Sequence, residues 1–445
     1  MQPNRKIISI AIEIEYKMEI NATEYKLRSC LTEREFEDSG WMLADPQDKE
    51  PALIRAIYKK RQIEFKEPSY GIYRFADWLP VRRMLKNSSA PITYKSEKLA
   101  KELRLENLYI TFSGYWPERG AFMNTCSFKE TEAYSVCARL PQDSGKILVV
   151  ASAGNTARAF AQVCSDNNIP IVIAIPEDNL PALWFKEPLG SCVKIICSPK
   201  GSDYFDAIAL AAKLSADSRF LEEGGAKNVA RRDGMGTTVL SATEAIGRIP
   251  DAYFQAVGSG TGAIAAYEAN LRLIEDGRFG NHLMRLMPSQ NYPFIPMYQA
   301  WEKRSRALLP SDDALQRELA LKIKAAVLSN RRPPYSIHGG LYDALTATNG
   351  HFYHISNSEL DEGLALFKQC EGIDIHPAAA VALVSLQKAV AAKDIAAEDT
   401  IMLNITGGGE ELFKSRNNFV YAKPDLILSP DTEADKVISK VAALF

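Results

Sequence analysis

Four stretches of this chain carry residue types that could do chemistry on a small anion. Lys129 sits in Asn124-Thr125-Cys126-Ser127-Phe128-Lys129-Glu130-Thr131, and with Thr125 as a helix cap it falls in the first turn or just beyond. A lysine amine attacks carbonyls and accepts protons once its pKa is depressed, although most lysines are exposed and inert. Ser152-Ala153-Gly154-Asn155-Thr156 joins one amide and two hydroxyls to the backbone N–H groups of a helix start, which suits a carboxylate or a phenolate-like oxygen. In Gly258-Ser259-Gly260-Thr261-Gly262 three glycines let the backbone close around a ligand at the positive end of a helix, and phosphate is the natural guest. Thr406, in Asn404-Ile405-Thr406-Gly407-Gly408-Gly409, offers one hydroxyl beside glycines that let a flat group approach the backbone. Each loop alone reads equally well as a cap or a turn.

The elements around these loops follow an α/β alternation. Apolar strands are expected at 108–110, 147–151, 169–175, 193–196, 253–257 and 400–405, and helices at 96–103, 156–164, 183–189, 207–214, 237–246, 263–274 and 377–390. Strands of about five residues, buried on both faces and separated by helices, predict parallel sheets. Ligands of such sheets bind in loops that follow strands and introduce helices, which is where three of the four stretches lie. The stretch 228–238, with Gly234 and Gly236, reads as a loop able to close on a ligand. Residues 285–340 read as irregular cover containing at least one helix. Alternating apolar residues from Ile8 to Met18 suggest an edge strand.

Composition narrows the function further. Lys plus Arg number 53 against 55 Asp plus Glu, a net charge of −2, so no global basic field exists for nucleic acid or an anionic membrane. Anions must be met by local donors. Clusters such as Lys59-Lys60-Arg61 read as solvated surface. No apolar run reaches the ~20 residues that span a bilayer. Seven cysteines without a Cys-x-x-Cys point to reduced thiols in a cytoplasmic protein. Five scattered histidines, including the pair His351 and His354, suggest no metal site.

Taken together, these segments resemble the threonine-synthase branch of the pyridoxal-phosphate enzymes of fold type II. Ala90-Pro91-Ile92-Thr93 is similar to the family's T-P-L opening, Ser127-Phe128-Lys129 to its S-F-K, and Ser152 to Thr156 to its S-S/A-G-N-T loop. The resemblance runs from about residue 90 to 415. It implies two doubly wound α/β domains with pyridoxal 5'-phosphate in the cleft between them. By the same resemblance Lys129 carries the cofactor covalently, Asn155 bonds its ring oxygen, and Gly258, Ser259, Gly260, Thr261 and Gly262 hold its phosphate. Thr406 faces the pyridine nitrogen, while Ser152, Ala153, Gly154 and Thr156 hold the substrate carboxylate. The domains expected are an N-terminal extension over 1–89, a large cofactor-binding domain over 90–135 and 240–445, and a small mobile domain over 136–239.

Departures from the branch's pattern bear on the substrate. Asn124-Thr125-Cys126 replaces the expected P-T-G before the lysine segment, and Glu130-Thr131 follows it in place of Asp-Arg. The Tyr25-Lys26-Leu27-Arg28 stretch before Cys30 resembles the branch's cysteine-paired module, but the further cysteines are missing and zinc is not supported. The overall resemblance is to an archaeal offshoot that replaces the phosphate of O-phospho-L-serine with sulfite in coenzyme M biosynthesis in methanogens. Phosphoserine and sulfite both need cations, for which Arg119, Lys186, Arg231, Arg232 and His376 are the candidates. Threonine formation from phosphohomoserine is the nearest alternative. A nicotinamide dehydrogenase built on Gly258 to Ala263, with Glu275 or Asp276 as its acidic residue, is an alternative of another class. A cofactor-binding relative without turnover is a third. A homo-oligomer is compatible with the sequence, which does not fix the state.

Overall fold

The computed structural model describes residues 20–141 and 144–445; the strand expected from Ile8 to Met18 lies outside them. Two sheets organise the chain. The larger runs in the order Tyr353–Ile355, Arg285–Asn291, Ala252–Ala256, Thr400–Ile405, Asn107–Phe112 and Ile92–Lys95. All its pairings are parallel except the last, at the edge. The smaller runs Phe220–Glu222, Ile147–Ala151, Ile171–Pro176, Val193–Ser198 and Leu426–Ile427, parallel throughout. Ile171–Pro176 and Thr400–Ile405 are buried along their whole length, as strands covered on both faces must be. The Ala- and Val-rich helix Pro377–Ala392 is buried over most of its surface and packs beneath the larger sheet. These are the parallel sheets of an α/β protein that the alternation predicted, and they agree with the fold that the resemblance implied.

The N-terminal region forms a three-stranded antiparallel sheet, Glu35–Phe36, Tyr25–Ser29 and Ile54–Tyr58. It is clamped to the rest by buried polar contacts. Tyr58 donates to Asp233 at 2.5 Å, and Arg139 pairs with Asp38 at 2.8 Å.

Four expectations change. Residues 183–189 are not helical: Trp184–Phe185 is a short strand paired with Val420–Tyr421, because Pro188 disfavours helix before it and both rings are buried. Residues 228–238 are not a loop but the start of the helix Val229–Ile246. Gly234 serves close helix packing there, since a Cβ would stand 2.5 Å from the Thr131 carbonyl oxygen. The stretch 285–340 contains a central strand, Arg285–Asn291, besides the helices Pro296–Glu302 and Asp313–Lys322. Finally, the strand Leu426–Ile427 joins the edge of the smaller sheet and the helix Ala434–Ala442 packs against the helix Tyr204–Leu214 that covers it, although the large domain was expected to extend to 445. Among the described residues no helix is long and apolar enough to cross a membrane, and no group of three His, Cys, Asp or Glu could hold a metal ion.

Candidate active site

Lys129 is the first residue of the helix Lys129–Arg139. Its position is set by the segment before it, which is stitched to the end of the strand Thr400–Ile405. The Phe128 N–H donates to the Thr406 carbonyl at 3.0 Å, and the Gly408 N–H donates to the Cys126 carbonyl at 3.1 Å. Gly407 must be glycine, because a Cβ there would stand 2.3 Å from His376 Nδ1. Cys126 takes φ +52°, a left-handed conformation that residues with side chains seldom adopt, and these bonds hold it.

The Lys129 side chain is about one-fifth exposed (21%), and its amine lies 3.1 Å from Glu132 Oε2. Burial lowers its pKa, the nearby Arg231 lowers it further, and Glu132 opposes both. Glu132 is fully buried; its Oε1 accepts from Thr156 Oγ1 at 3.0 Å and lies 3.3 Å from Arg231 Nη1. Arg231 in turn forks onto Glu223, donating from Nε at 2.8 Å and from Nη2 to the second oxygen. Two basic side chains and two carboxylates thus meet in one shielded cluster at the cleft.

The strand Ile147–Ala151 delivers the second element. Its following loop is closed by Ser152, whose Oγ accepts from the N–H groups of Gly154 at 3.1 Å and Ala157 at 3.0 Å. The N–H groups of Ala153, Asn155 and Thr156 are left without an acceptor among the described residues. Asn155 opens the helix Asn155–Asp166, and its Oδ1 accepts from Arg158 Nη2 at 3.1 Å.

The third element follows Ala252–Ala256. The N–H groups of Gly258, Ser259, Gly260 and Gly262 have no acceptor among the described residues, at the start of the sixteen-residue helix Thr261–Asp276. Ser259 and Thr261 hydroxyls hold one another at 2.8 Å and brace the turn. At Gly258 a Cβ would stand 2.9 Å from the Val327 carbonyl oxygen, so a larger residue would displace the opposite wall. Free N–H groups at the positive end of a long helix form an anion cradle.

All of these open onto one cleft of about 960 Å³ including its mouth. Its walls include Lys129, all five residues Ser152 to Thr156, all five residues Gly258 to Gly262, Arg231, His376 and Thr406. Arg119 and Lys186 are outside it and exposed; the Arg119 guanidinium covers the rings of Tyr94 at 4.2 Å and Trp116 at 4.8 Å. Arg232 is fully buried elsewhere, 2.9 Å from Glu268, and ties the N-terminal sheet to the body. The dehydrogenase reading loses its acidic residue. Glu275 and Asp276 lie at the far end of their helix, roughly 20 Å from the glycine loop. There Glu275 pairs with Arg61, and Asp276 accepts from the Ile63 N–H at 2.9 Å.

Sequence reasoning missed Glu132, Glu223, Arg158 and Tyr204. The one local signal was the three-residue spacing of Lys129 and Glu132, which places them on one helix face.

A family model for pyridoxal-phosphate dependent enzymes matches residues 96–407. The cysteate synthase of Methanosarcina acetivorans is 47% identical over 392 residues, 88% of this chain and 94% of its own length. That of Methanosarcina mazei is 48% identical over 383 residues, 86% of this chain and 92% of its own. That of Methanospirillum hungatei is 45% identical over 420 residues, 94% of this chain and 98% of its own. Among solved structures, the processed form of threonine deaminase isoform 2 from Solanum lycopersicum matches with a TM-score of 0.54 at 17% identity. That match spans 74% of this chain and 86% of the other and bears on the fold alone. The family match takes in most of the segments that build the cleft, and the chain belongs to the pyridoxal-phosphate dependent enzymes, within the cysteate synthase family.

Proposed function

We propose that the chain replaces the phosphate of O-phospho-L-serine with sulfite, giving L-cysteate and phosphate. The observation that carries this reading is one cleft in which Lys129 stands beside two separate sets of free backbone N–H groups. Two sets suit two anionic groups, one on the cofactor and one on the substrate. The names of the relatives, cysteate synthases, supply the choice of substrate.

The residues present fit pyridoxal phosphate. Gly258 to Gly262 would hold its phosphate, Asn155 its ring oxygen, Thr406 its pyridine nitrogen, and Lys129 would carry it covalently. Once bound, the cofactor supplies a sink for the electron pair released at the substrate's Cα. The N–H groups of Ala153, Asn155 and Thr156 hold the substrate carboxylate and so fix which Cα bond faces Lys129. Freed when the substrate's amino group takes its place on the cofactor, the Lys129 amine would accept the Cα proton, and burial and Arg231, which lower its pKa, favour the neutral form this requires. The Cβ–O bond to phosphate breaks, the sulfur lone pair of sulfite forms the Cβ–S bond, and Lys129 returns the proton to Cα. Of the arginines and lysines suggested by the sequence for anion binding, Arg231 is the one in the cleft wall.

This reading places the reaction in coenzyme M biosynthesis and in the cytoplasm, where the seven free thiols would stay reduced. Incubation with phosphoserine and sulfite tests it: cysteate and phosphate should form in equal amounts. Threonine from phosphohomoserine without any cysteate would overturn it.

A further inference from the structure

Glu132 is a fully buried carboxylate, which is costly in the interior unless every oxygen is paired. Its three partners differ in kind. Lys129 offers an amine that gains and loses a proton, Thr156 a hydroxyl on the substrate loop, and Arg231 a fixed cation from the helix Val229–Ile246. Among the described residues the other titratable groups around this cluster are Glu223, which pairs with Arg231, and Tyr204 and His376 in the cleft wall. Removing this carboxylate alone would leave Lys129 and Arg231 short of a counter-charge, so Glu132 is part of how both are held.

We propose that Glu132 is a positioning residue for proton transfer: it holds the Lys129 amine, stabilises its protonated form, and links its basicity through Thr156 to the loop that receives the substrate carboxylate. This rests on the reading that Lys129 is the base of the replacement reaction. When the amine takes a proton, the ammonium forms 3.1 Å from a carboxylate that needs no rearrangement to meet it. Arg231 shares Oε1 with Thr156 and keeps that carboxylate from holding the proton on Lys129 permanently. The Thr156 hydroxyl draws off part of the same charge. A loop movement that lengthens the Thr156–Glu132 bond therefore raises the basicity of Lys129.

The test reads Lys129 directly, on the full chain stripped of cofactor. Acetic anhydride labels only the neutral amine, and the Lys129 peptide is quantified by mass spectrometry across pH. In Glu132→Gln the half-labelling pH should fall by roughly one unit or more, because the stabilising charge is gone. In Thr156→Val it should rise, because Glu132 then serves Lys129 more fully. After reloading with cofactor, the acidic limb of the kcat profile, which reports the base, should move in the same two directions. An unchanged half-labelling pH in Glu132→Gln overturns the proposal, as does a fall in Thr156→Val. If Glu132→Gln does not melt cooperatively, the Thr156→Val arm decides alone, a rise supporting the proposal and any other result overturning it. Failure of the wild-type chain to make cysteate would overturn the reaction while leaving this titration readable.

Discussion

Arg158 Nη2 donates to Asn155 Oδ1 at 3.1 Å, and the same guanidinium is locked on every side. It donates to the Thr125 carbonyl at 2.9 Å and the Ala182 carbonyl at 2.8 Å, and stacks 4.1 Å over Trp184. With its oxygen turned to Arg158, the Asn155 amide keeps its two N–H donors available for the cleft. Asn155→Asp keeps the shape and the bond to Arg158 but removes those donors and adds a charge. Cofactor titration should show at least a roughly tenfold weaker dissociation constant, with folding retained. Unchanged affinity would mean that Asn155 does not face the cofactor.

Gly258→Ala tests the phosphate cradle. The added Cβ would stand 2.9 Å from Val327 O and 3.0 Å from Leu328 Cα, both backbone atoms that cannot rotate away. The segment that must yield is itself a wall of the cleft. Stability should fall by about 1–3 kcal/mol, the usual cost of overpacking, read from urea unfolding. The holoenzyme should also lose its cofactor on gel filtration. Full retention together with unchanged stability would contradict the packing described.

Much of the site was legible because its loops sit where a strand hands over to a helix, and Gly, Asn and Thr at such points are locally distinctive. Lys129 was legible only through the Ser-Phe-Lys motif and its company. The partners that tune it were not. Glu130 and Glu132 look alike in sequence and both are buried, yet only one meets Lys129, because Thr156 and Arg231 come from distant segments. The strand Arg285–Asn291 was hidden by Pro288 and by Ser289-Gln290-Asn291, which read as a loop. These polar residues are fully buried and take up tertiary bonds: Asn291 donates to Ile355 O at 2.9 Å, and Gln290 Oε1 accepts from the Tyr298 N–H at 3.0 Å, while Gln290 Nε2 has no partner among the described residues. Gly234 and Gly236 suggested a mobile loop; in fact Gly234 marks where two helices touch.

Glu130 gives a pH signature of folding. Its Oε2 accepts from both the N–H and the hydroxyl of Thr125 at 2.9 Å, but burial dominates and pushes its pKa up to about 7. An acid with a raised folded pKa contributes stability below its ordinary value near 4.5 and loses it as pH rises toward 7. Glu130→Gln cannot titrate, so its stability relative to wild type should improve by roughly 2–3 kcal/mol between pH 5 and pH 8. Urea midpoints at the two pH values measure this. An equal gap at both would show that Glu130 does not titrate in that window.

The candidate anion-binding cations separate cleanly by position. Arg119 and Lys186 are exposed and outside the cleft, so Arg119→Ala and Lys186→Ala should leave KM for phosphoserine and for sulfite within about twofold. Arg231 is different: its side chain is 12% exposed and forked onto Glu223, itself 5% exposed. Arg231→Gln strands that carboxylate beside Glu132 and removes the cluster's fixed cation, so KM for both anions should rise at least about tenfold. Initial rates with each substrate varied in turn decide the matter, and a larger effect from Arg119→Ala than from Arg231→Gln would reverse the assignment. Salt provides the independent check. In the proposed reading the attraction rests on shielded N–H groups and on the buried Arg231, which ions screen far less than exposed charges. The KM for phosphoserine should therefore change by less than about twofold between low and physiological salt, whereas capture by a ring of surface cations would weaken steeply over the same range.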